Sequence, residues 1–335
     1  MHKTMIPVAP IALLLASLLP AAATTAVLPT KLWVSNSGAD STACGAVVAP
    51  CRTFQQAHDN LAPGGEIGVL SPGDYGGTGT EKLTIAKSVS ITNEGSGEAS
   101  ILAGSGNGNV GIFVNAGRGA VVSLRGLVID GQVAGDTGIF ISETTAIHIQ
   151  NCVVRNFEGG RGRGISMGGG GSPAQLFISD SIIFNNGSSA ASGGIAIESG
   201  GSLATINVVL VRVNLENNVR GLWADSRFTM GGVHAVIRDS VISGNAADGV
   251  FAVTTAGRGG PAFIVVEHSS IVNNAGTGLR ADGAGATMLL NDNTVTRNGI
   301  GIGVANSGQL ISYGNNKVNN NLGPDGTPTG SYNPI

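Results

Sequence analysis

One feature of this chain restricts its fold more than any other: a strand-sized motif returns about once every 27 residues. Gly followed by an apolar residue opens strand-like segments at Gly111, Gly138, Gly164, Gly194, Gly221, Gly249, Gly278 and Gly301, at intervals of 27, 26, 30, 27, 28, 29 and 23 residues. Asn keeps a second frame, at 186, 218, 245, 274, 298 and 321, with intervals of 32, 27, 29, 24 and 23. A frame that persists while the spacing drifts means loops of varying length on a fixed scaffold. From His234 one repeat reads HAVIRD-SVIS-GNAAD-GVFAV, and the next reads AFIVVEH-SSIV-NNAGT-GLRAD. Apolar residues, many of them β-branched, alternate with polar ones in three short runs, with tight polar turns between them and no helical period. A unit this small buries its apolar face only on its neighbours. The expected fold is therefore all-β: a right-handed, single-stranded parallel β-helix with three sheets around a narrow core and about eight or more coils.

Stacking gives the Asn frame a physical purpose. Equivalent residues in adjacent turns lie about 4.8 Å apart. Asn amides at that spacing can hydrogen-bond along the stack, and Asn tolerates left-handed backbone in a turn. The six asparagines are thus read as an internal ladder. The N-terminal part is different. In CRTFQQAHDNLAPGG, Phe54, Ala57 and Leu61 fall on one helical face before Pro63-Gly64-Gly65 stops the helix. That short helix is the expected cap over the first coil's open edge, with His58 as a solvated surface residue. Cys44 and Cys51, in ACGAVVAPC, read as a loop-closing disulfide of an exported protein. Cys152 reads as a buried small hydrophobe. The start of the chain has a basic residue (Lys3), an apolar run from Ile11 to Leu19, and Ala21-Ala22-Ala23, the pattern of a signal peptide. The expected organisation is a signal peptide at 1–23, a cap and irregular coils at 24–110, regular repeats at 111–321, and a fraying tail at 322–335. Export places the chain in the periplasm or outside the cell.

The string WVSNSGAD…PCRTFQQAHDNLAPGGEIGVLSPGDYG resembles the N-terminal module of bacterial secreted right-handed β-helix proteins of the pectate-lyase-like superfamily, in a subgroup of unassigned function. The repeats GLVIDG, NCVVRN and DSIIFNNG, and the end ISYGNNKVNNN, are similar to the same proteins. The resemblance implies a fold. It implies no single activity, because the superfamily includes lyases, glycoside hydrolases, epimerases, phage spikes and adhesins. None of the hydrolase strings Asn-Thr-Asp, Asp-Asp, Gly-His-Gly and Arg-Ile-Lys occurs here, and the epimerase motif Asp-Pro-His-Asp is absent. No strong match to the lyases' calcium ligands and basic residue is present.

Composition narrows the partners. Charged residues are 12% and the net charge is −3, which argues against nonspecific binding to nucleic acid or anionic membrane. No later run of the length needed to span a membrane follows the first apolar stretch. Aromatics at 4% weigh against a long sugar-stacking cleft.

The register sorts exposed side chains into columns. Ile149, Ile178, Leu210, Ile237, Val266 and Leu290 are expected to point inward. At the following corner Asp180, Arg212, Asp239, His268 and Asp292 alternate in sign. The plain reading is an ionic ladder. The sharper one is an acid–base cluster of Arg238, Asp239, Glu267 and His268. Phe177, Val209, Val236, Val265 and Leu289 form an outward apolar column, read as covered by the glycine-rich loops or, alternatively, as a self-association face. After each leading Gly, Trp223, Phe251 and Arg280 stack outward beside Glu198, Asp225 and Asp282. An indole face with carboxylates and a guanidinium suits a carbohydrate ring; cover for the sheet is the plain alternative. Glu198 and Asp225, adjacent in their column, would suit Ca²⁺, the one cofactor considered, or an acid–nucleophile pair. Three functions follow: polysaccharide contact without a recognisable catalytic motif, a lyase or hydrolase with a non-standard site, or a structural or adhesive surface protein.

Overall fold

The structure, a computed structural model, describes residues 28–104, 109–168, 174–198, 205–228 and 230–332. The signal-peptide reading and much of the GGGG loop lie outside these residues. The coil has three parallel ladders. A glycine-led face contains Arg163–Met167, Gly193–Glu198, Leu222–Asp225, Val250–Val253, Thr277–Asp282 and Ile300–Ala305. A long face contains Ala174–Ser179, Ile206–Val211, Val233–Arg238, Ala262–Glu267, Ala286–Asn291 and Gln309–Ser312. A short face contains Val153–Arg155, Ile182–Phe184, Asn214–Glu216, Val241–Ser243, Ser270–Val272 and Thr294–Thr296. Two long strands, Val110–Arg125 and Thr137–Gln150, run through both of the first two faces. They join these into one 19-stranded sheet, beside the 10-stranded sheet of the short face. The three expected ladders are present, two of them continuous.

Alternation fills the core. Ile149, Ile178, Leu210, Ile237, Val266 and Leu290 are all buried, as are Leu222, Ala224, Val250, Ala252, Leu279 and Ala281 on the glycine-led face. The leading glycines have a steric cause. A Cβ at Gly221 would meet the Gly249 carbonyl oxygen at 2.5 Å, and one at Gly249 would meet that of Gly278 at 2.6 Å.

The asparagine ladder forms as expected. Asn218 Oδ1 accepts from the Asn186 backbone N–H (3.1 Å), Asn245 Oδ1 from Asn218 (3.0 Å), and Asn274 Oδ1 from Asn245 (3.1 Å). Asn298 and Asn321 continue it at 3.0 and 2.9 Å. Side-chain N–H groups meanwhile donate to core carbonyls such as Leu215 and Ile242. One expectation changes. The left-handed residue is the one before the ladder, at Asn185, Asn217, Asn273 and Asn320 (φ 54, 53, 56 and 56°). The ladder side chain needs the corner turned before it can point inward.

A second ladder, unread in the sequence, lines the corner between the long and short faces. Ser181 Oγ accepts from Cys152 N–H (3.1 Å), Ser240 Oγ from Val213 (3.1 Å), and Ser269 Oγ from Ser240 (3.2 Å); Asn293 Oδ1 then accepts from Ser269 (3.0 Å). Both sets of buried corner amides are thereby satisfied.

The N-terminal string also becomes mechanical. The Asp40 carboxylate accepts from the N–H groups of Arg52 (2.7 Å) and Thr53 (2.9 Å) and from Thr53 Oγ1 (2.9 Å). Thr53 in turn accepts from Gln56 N–H at the start of helix Phe54–Asn60. The helix packs against strands Lys31–Val34, Gly65–Val69 and Glu81–Ile85. Phe54, Ala57 and Leu61 are buried on its inner side. His58 is buried as well, contrary to the expected solvated position. It lies one turn past Phe54, on the packed face, and its Nε2 accepts from Ala86 N–H at 3.3 Å. Burial, with Lys87 nearby, holds its pKa below the usual value despite the opposing pull of Asp59. Cys44 and Cys51 form the disulfide, and buried Cys152 is free, its thiol pushed up to about 11 by burial. The tail, as far as Tyr332, is hydrogen-bonded to the coil. Thr329 N–H donates to Leu310 O, Gly330–Ser331 pairs with Ile311–Ser312, and Asp325 Oδ1 accepts from Asn321 N–H and Nδ2.

Candidate functional site

The outward columns of the glycine-led face meet in a compact charged cluster. The register is as read: Ala196, Trp223, Phe251 and Arg280 stack on successive turns, and Glu198 is paired with Asp225. The surroundings are not. Trp223 is 6% exposed and Phe251 8%, so neither ring is an open platform. Arginines lie over them. The Arg163 and Arg220 guanidinium carbons lie 5.8 and 5.6 Å from the Trp223 ring centre, and those of Arg220 and Arg280 lie 5.1 and 4.8 Å from Phe251. A guanidinium is flat and weakly hydrated, so it can cover an aromatic face while keeping its N–H groups at the edge.

Every carboxylate in the cluster has an arginine. Glu198 pairs with Arg163, whose side chain also donates to Ser166 and to the Ala191 carbonyl. Asp225, whose side chain is 1% exposed, takes a two-pronged contact from Arg227 at 2.9 and 2.7 Å. That hydrogen-bonded contact raises the Arg227 pKa. Asp282 takes Arg280 at 3.0 Å, and Asp248 lies 3.6 Å from Arg220 and 3.9 Å from Arg280. Burial lowers the Arg220 pKa; Asp248 opposes that, and the Arg280 charge adds to it. Among the described residues, two donors inside the cluster lack a hydrogen-bond acceptor, Trp223 Nε1 and Arg220 Nε. Asp248 is close enough to pair with Arg220 Nε electrostatically but beyond hydrogen-bond reach. The heads of Arg227 and Arg280, 37% and 38% exposed, form the outer lip.

The expected Glu198–Asp225 cation or acid–nucleophile pair is therefore occupied by guanidinium groups. A Ca²⁺ cage needs about six to eight oxygen ligands. Among the described residues, the one acid and cysteine group within mutual ligand distance is Asp40, Cys44 and Cys51, and both of its thiols are in the disulfide.

The corner residues do not converge. Arg238 lies 3.5 Å from Asp239 and 3.8 Å from Glu267, while His268 pairs onward with Asp292 at 3.8 Å. Arg238, Asp239, His268 and Asp292 are each about half exposed. Arg212 grips Asp180 at 2.6 and 3.0 Å, which holds the Asp180 carboxyl below the usual range. This is the ionic-ladder arrangement. The apolar column of the long face is also placed as read. Phe177, Val209, Val236, Val265 and Leu289 all stay partly exposed. His148 stacks on Phe177 with ring centres 4.7 Å apart, over a shallow depression of about 230 Å³ lined also by Gln150, Ser179 and Val209.

The residues missed in the sequence are Arg163, Arg220, Arg227 and Asp248. A signal was present: three of them directly precede a leading Gly, as Arg163-Gly164, Arg220-Gly221 and Asp248-Gly249. That position borders the outward column, and it carries a charge in three of the four coils that begin at Gly164, Gly194, Gly221 and Gly249.

The family model described as a right handed beta helix region matches residues 110–295. No curated protein sequence matches the chain. Among solved structures, the pectate lyase Pel9A superposes with a TM-score of 0.60 at 18% identity, over 84% of this chain and 74% of that one. A rhamnogalacturonan lyase aligns with a TM-score of 0.43 at 14% identity, over 84% of this chain and 75% of its own. The pectin methylesterase PemA from Erwinia chrysanthemi gives 0.44 at 14% identity, over 73% of this chain and 80% of its own. At 18% identity the likeness to Pel9A is one of fold alone.

Proposed function

This chain belongs to the right-handed β-helix family, and on that premise we propose that it is an exported protein that contacts polysaccharide through the arginine lip of the glycine-led face, without catalysing its cleavage. The observation that carries the reading is Trp223 Nε1, a buried donor with no acceptor among the described residues; Arg220 Nε beside it faces Asp248 only at 3.6 Å. Buried polar groups are almost always satisfied, so an orphan donor calls for a partner. A sugar hydroxyl or ring oxygen entering past Arg280 supplies one, and the Arg227 and Arg280 edges offer further donors. That a pectate lyase has the same fold makes polysaccharide the first ligand class to try. Binding is favoured over chemistry because each carboxylate is held by an arginine. A carboxylate whose oxygens already face a guanidinium is not free to act as general acid or nucleophile. Export accords with the Cys44–Cys51 bond and with the finding that, among the described residues, no helix is long and apolar enough to cross a membrane.

The test is a panel of neutral and uronate polysaccharides scored for both retention and product. Retention of at least one glycan without product is expected. Arg280→Gln should weaken it about tenfold or more, as for loss of a hydrogen bond from a charged donor, with the melting temperature nearly unchanged. Failure to bind any glycan, or unchanged binding by the variant, refutes the reading. Unsaturated product would select a lyase, and new reducing ends a hydrolase.

A further inference from the structure

The outer side of the long face is a partly exposed sheet surface. Its middle column is apolar over six turns: Phe177, Val209, Val236, Val265, Leu289 and Ile311, in direct register. All six are partly exposed. Beside them, on the side of the charged corner, run Ser179, Val211, Arg238, Glu267 and Asn291, and beyond those the corner residues Asp180, Arg212, Asp239, His268 and Asp292.

This pattern is self-complementary under one operation. Consider a two-fold axis parallel to the strands, in the plane between two facing copies, passing midway between strands Val233–Arg238 and Ala262–Glu267. Such an axis keeps the strand direction and reverses the stacking direction. Strand 233–238 of one copy then faces strand 262–267 of the other, 206–211 faces 286–291, and 174–179 faces 309–312. Val236 meets Val265 of the second copy, Val209 meets Leu289, and Phe177 meets Ile311. Arg238 meets Glu267, and Glu267 meets Arg238. At the corner Asp239 meets His268, and Arg212 meets Asp292. Placing the axis on the 233–238 strand itself would set Arg238 against Arg238 and Asp239 against Asp239. Moving it to between 206–211 and 233–238 would leave Arg238 opposite Val211. Only the first position pairs both charged columns with opposite charge, the requirement of an isologous contact.

We propose that the long face is a homodimer interface, in which two copies pack face to face about this axis. The size is consistent with a weak, reversible dimer. Five strands of six residues and one of four, at about 3.3 Å per residue and about 4.8 Å spacing, present roughly 540 Å² per copy. That gives roughly 1,100 Å² in total, just above the roughly 1,000 Å² that a specific interface has to clear. The contact is independent of the glycine-led face and leaves the arginine lip free.

Sedimentation of the purified protein from low to high micromolar concentration is expected to show a monomer–dimer equilibrium. Arg238→Glu sets like charges against each other at both symmetry-related contacts and should raise the dimer dissociation constant at least about tenfold. The double exchange Arg238→Glu with Glu267→Arg restores opposition across the axis and should recover most of the affinity, which a merely misfolded variant would not do. A wild-type chain that stays monomeric at every concentration overturns the proposal. So does a dimer indifferent to Arg238→Glu, or a double variant no better than the single one.

Discussion

Replacing Trp223 with alanine distinguishes a covered ring from an open one. Trp223 is 6% exposed, with Arg163 and Arg220 over it and Phe251 in the next turn. An aromatic side chain buries about 150–250 Å², and at about 25 cal/mol per Å² its loss is worth roughly 4–6 kcal/mol as an upper figure. Truncation of buried tryptophan measures about 3–5 kcal/mol in other cores. One term acts in the opposite direction. The Nε1 donor has no acceptor, and its removal returns about 1–3 kcal/mol of desolvation. The net expectation is a loss of about 3 kcal/mol. Trp223→Phe keeps most of the ring and deletes the orphan donor, so it should stay within about 1 kcal/mol of the parent. The assay is urea unfolding followed by far-UV circular dichroism, comparing midpoints at constant slope. Stacked coils can lose cooperativity, so tryptophan fluorescence must report the same transition for the free energies to hold. A loss under about 1 kcal/mol for Trp223→Ala is what an exposed sugar platform would give, and it would refute the burial argument.

Two further outcomes follow from the ladders and the buried histidine. Asn245→Ala removes the acceptor for Asn218 N–H and the donors to Leu215 O and Asn274 Oδ1, so urea midpoints should fall by the equivalent of about 2–4 kcal/mol, whereas the exposed Asn217→Ala should fall by far less. For His58 the folded pKa lies below 6.5; the unfolded ring takes up a proton as pH falls through about 6.5 while the folded ring stays neutral, so stability is full above that pH and declines below it. His58→Gln should flatten the unfolding midpoint across that window, and an unchanged slope would show that His58 does not carry it.

The repeat made the architecture legible because periodic alternation is a backbone property. Ile237 and Val266 had to point inward once the strands were in register, and Asn218 had to meet Asn245 once the turns were stacked. The sequence left two readings for each outward column, and the structure leaves Val209-Val236-Val265 partly exposed and buries Trp223 and Phe251. Cover depends on how far neighbouring side chains reach, not on alternation. Arg163 opens its strand and Arg220 lies in the turn before its own, and both reach over Trp223, whereas Arg238, beside Val236, turns to Asp239 and Glu267. The serine ladder went unseen for another reason. Ser181, Ser240 and Ser269 share their column with Cys152, Val213 and Asn293, so no single residue type marked it. His58 was misplaced because a helix of seven residues offers too few turns to fix which face is packed.

The asparagine column has a direction. Each side-chain oxygen accepts from the turn before it, so the amide dipoles align and leave donors unspent at the last position. Asn321 Nδ2 donates to the Val295 and Asn319 carbonyls, but its backbone N–H would have no ladder acceptor, a small positive pole like the start of a helix. Asp325 places a carboxylate there, at 3.1 and 2.7 Å, and those hydrogen bonds keep its pKa low. The solenoid is thereby punctuated. Its inner coils are interchangeable links that duplication or deletion could add or remove without breaking the chain of amides, while Asp325 is the terminator that any lengthening at this end would first have to displace.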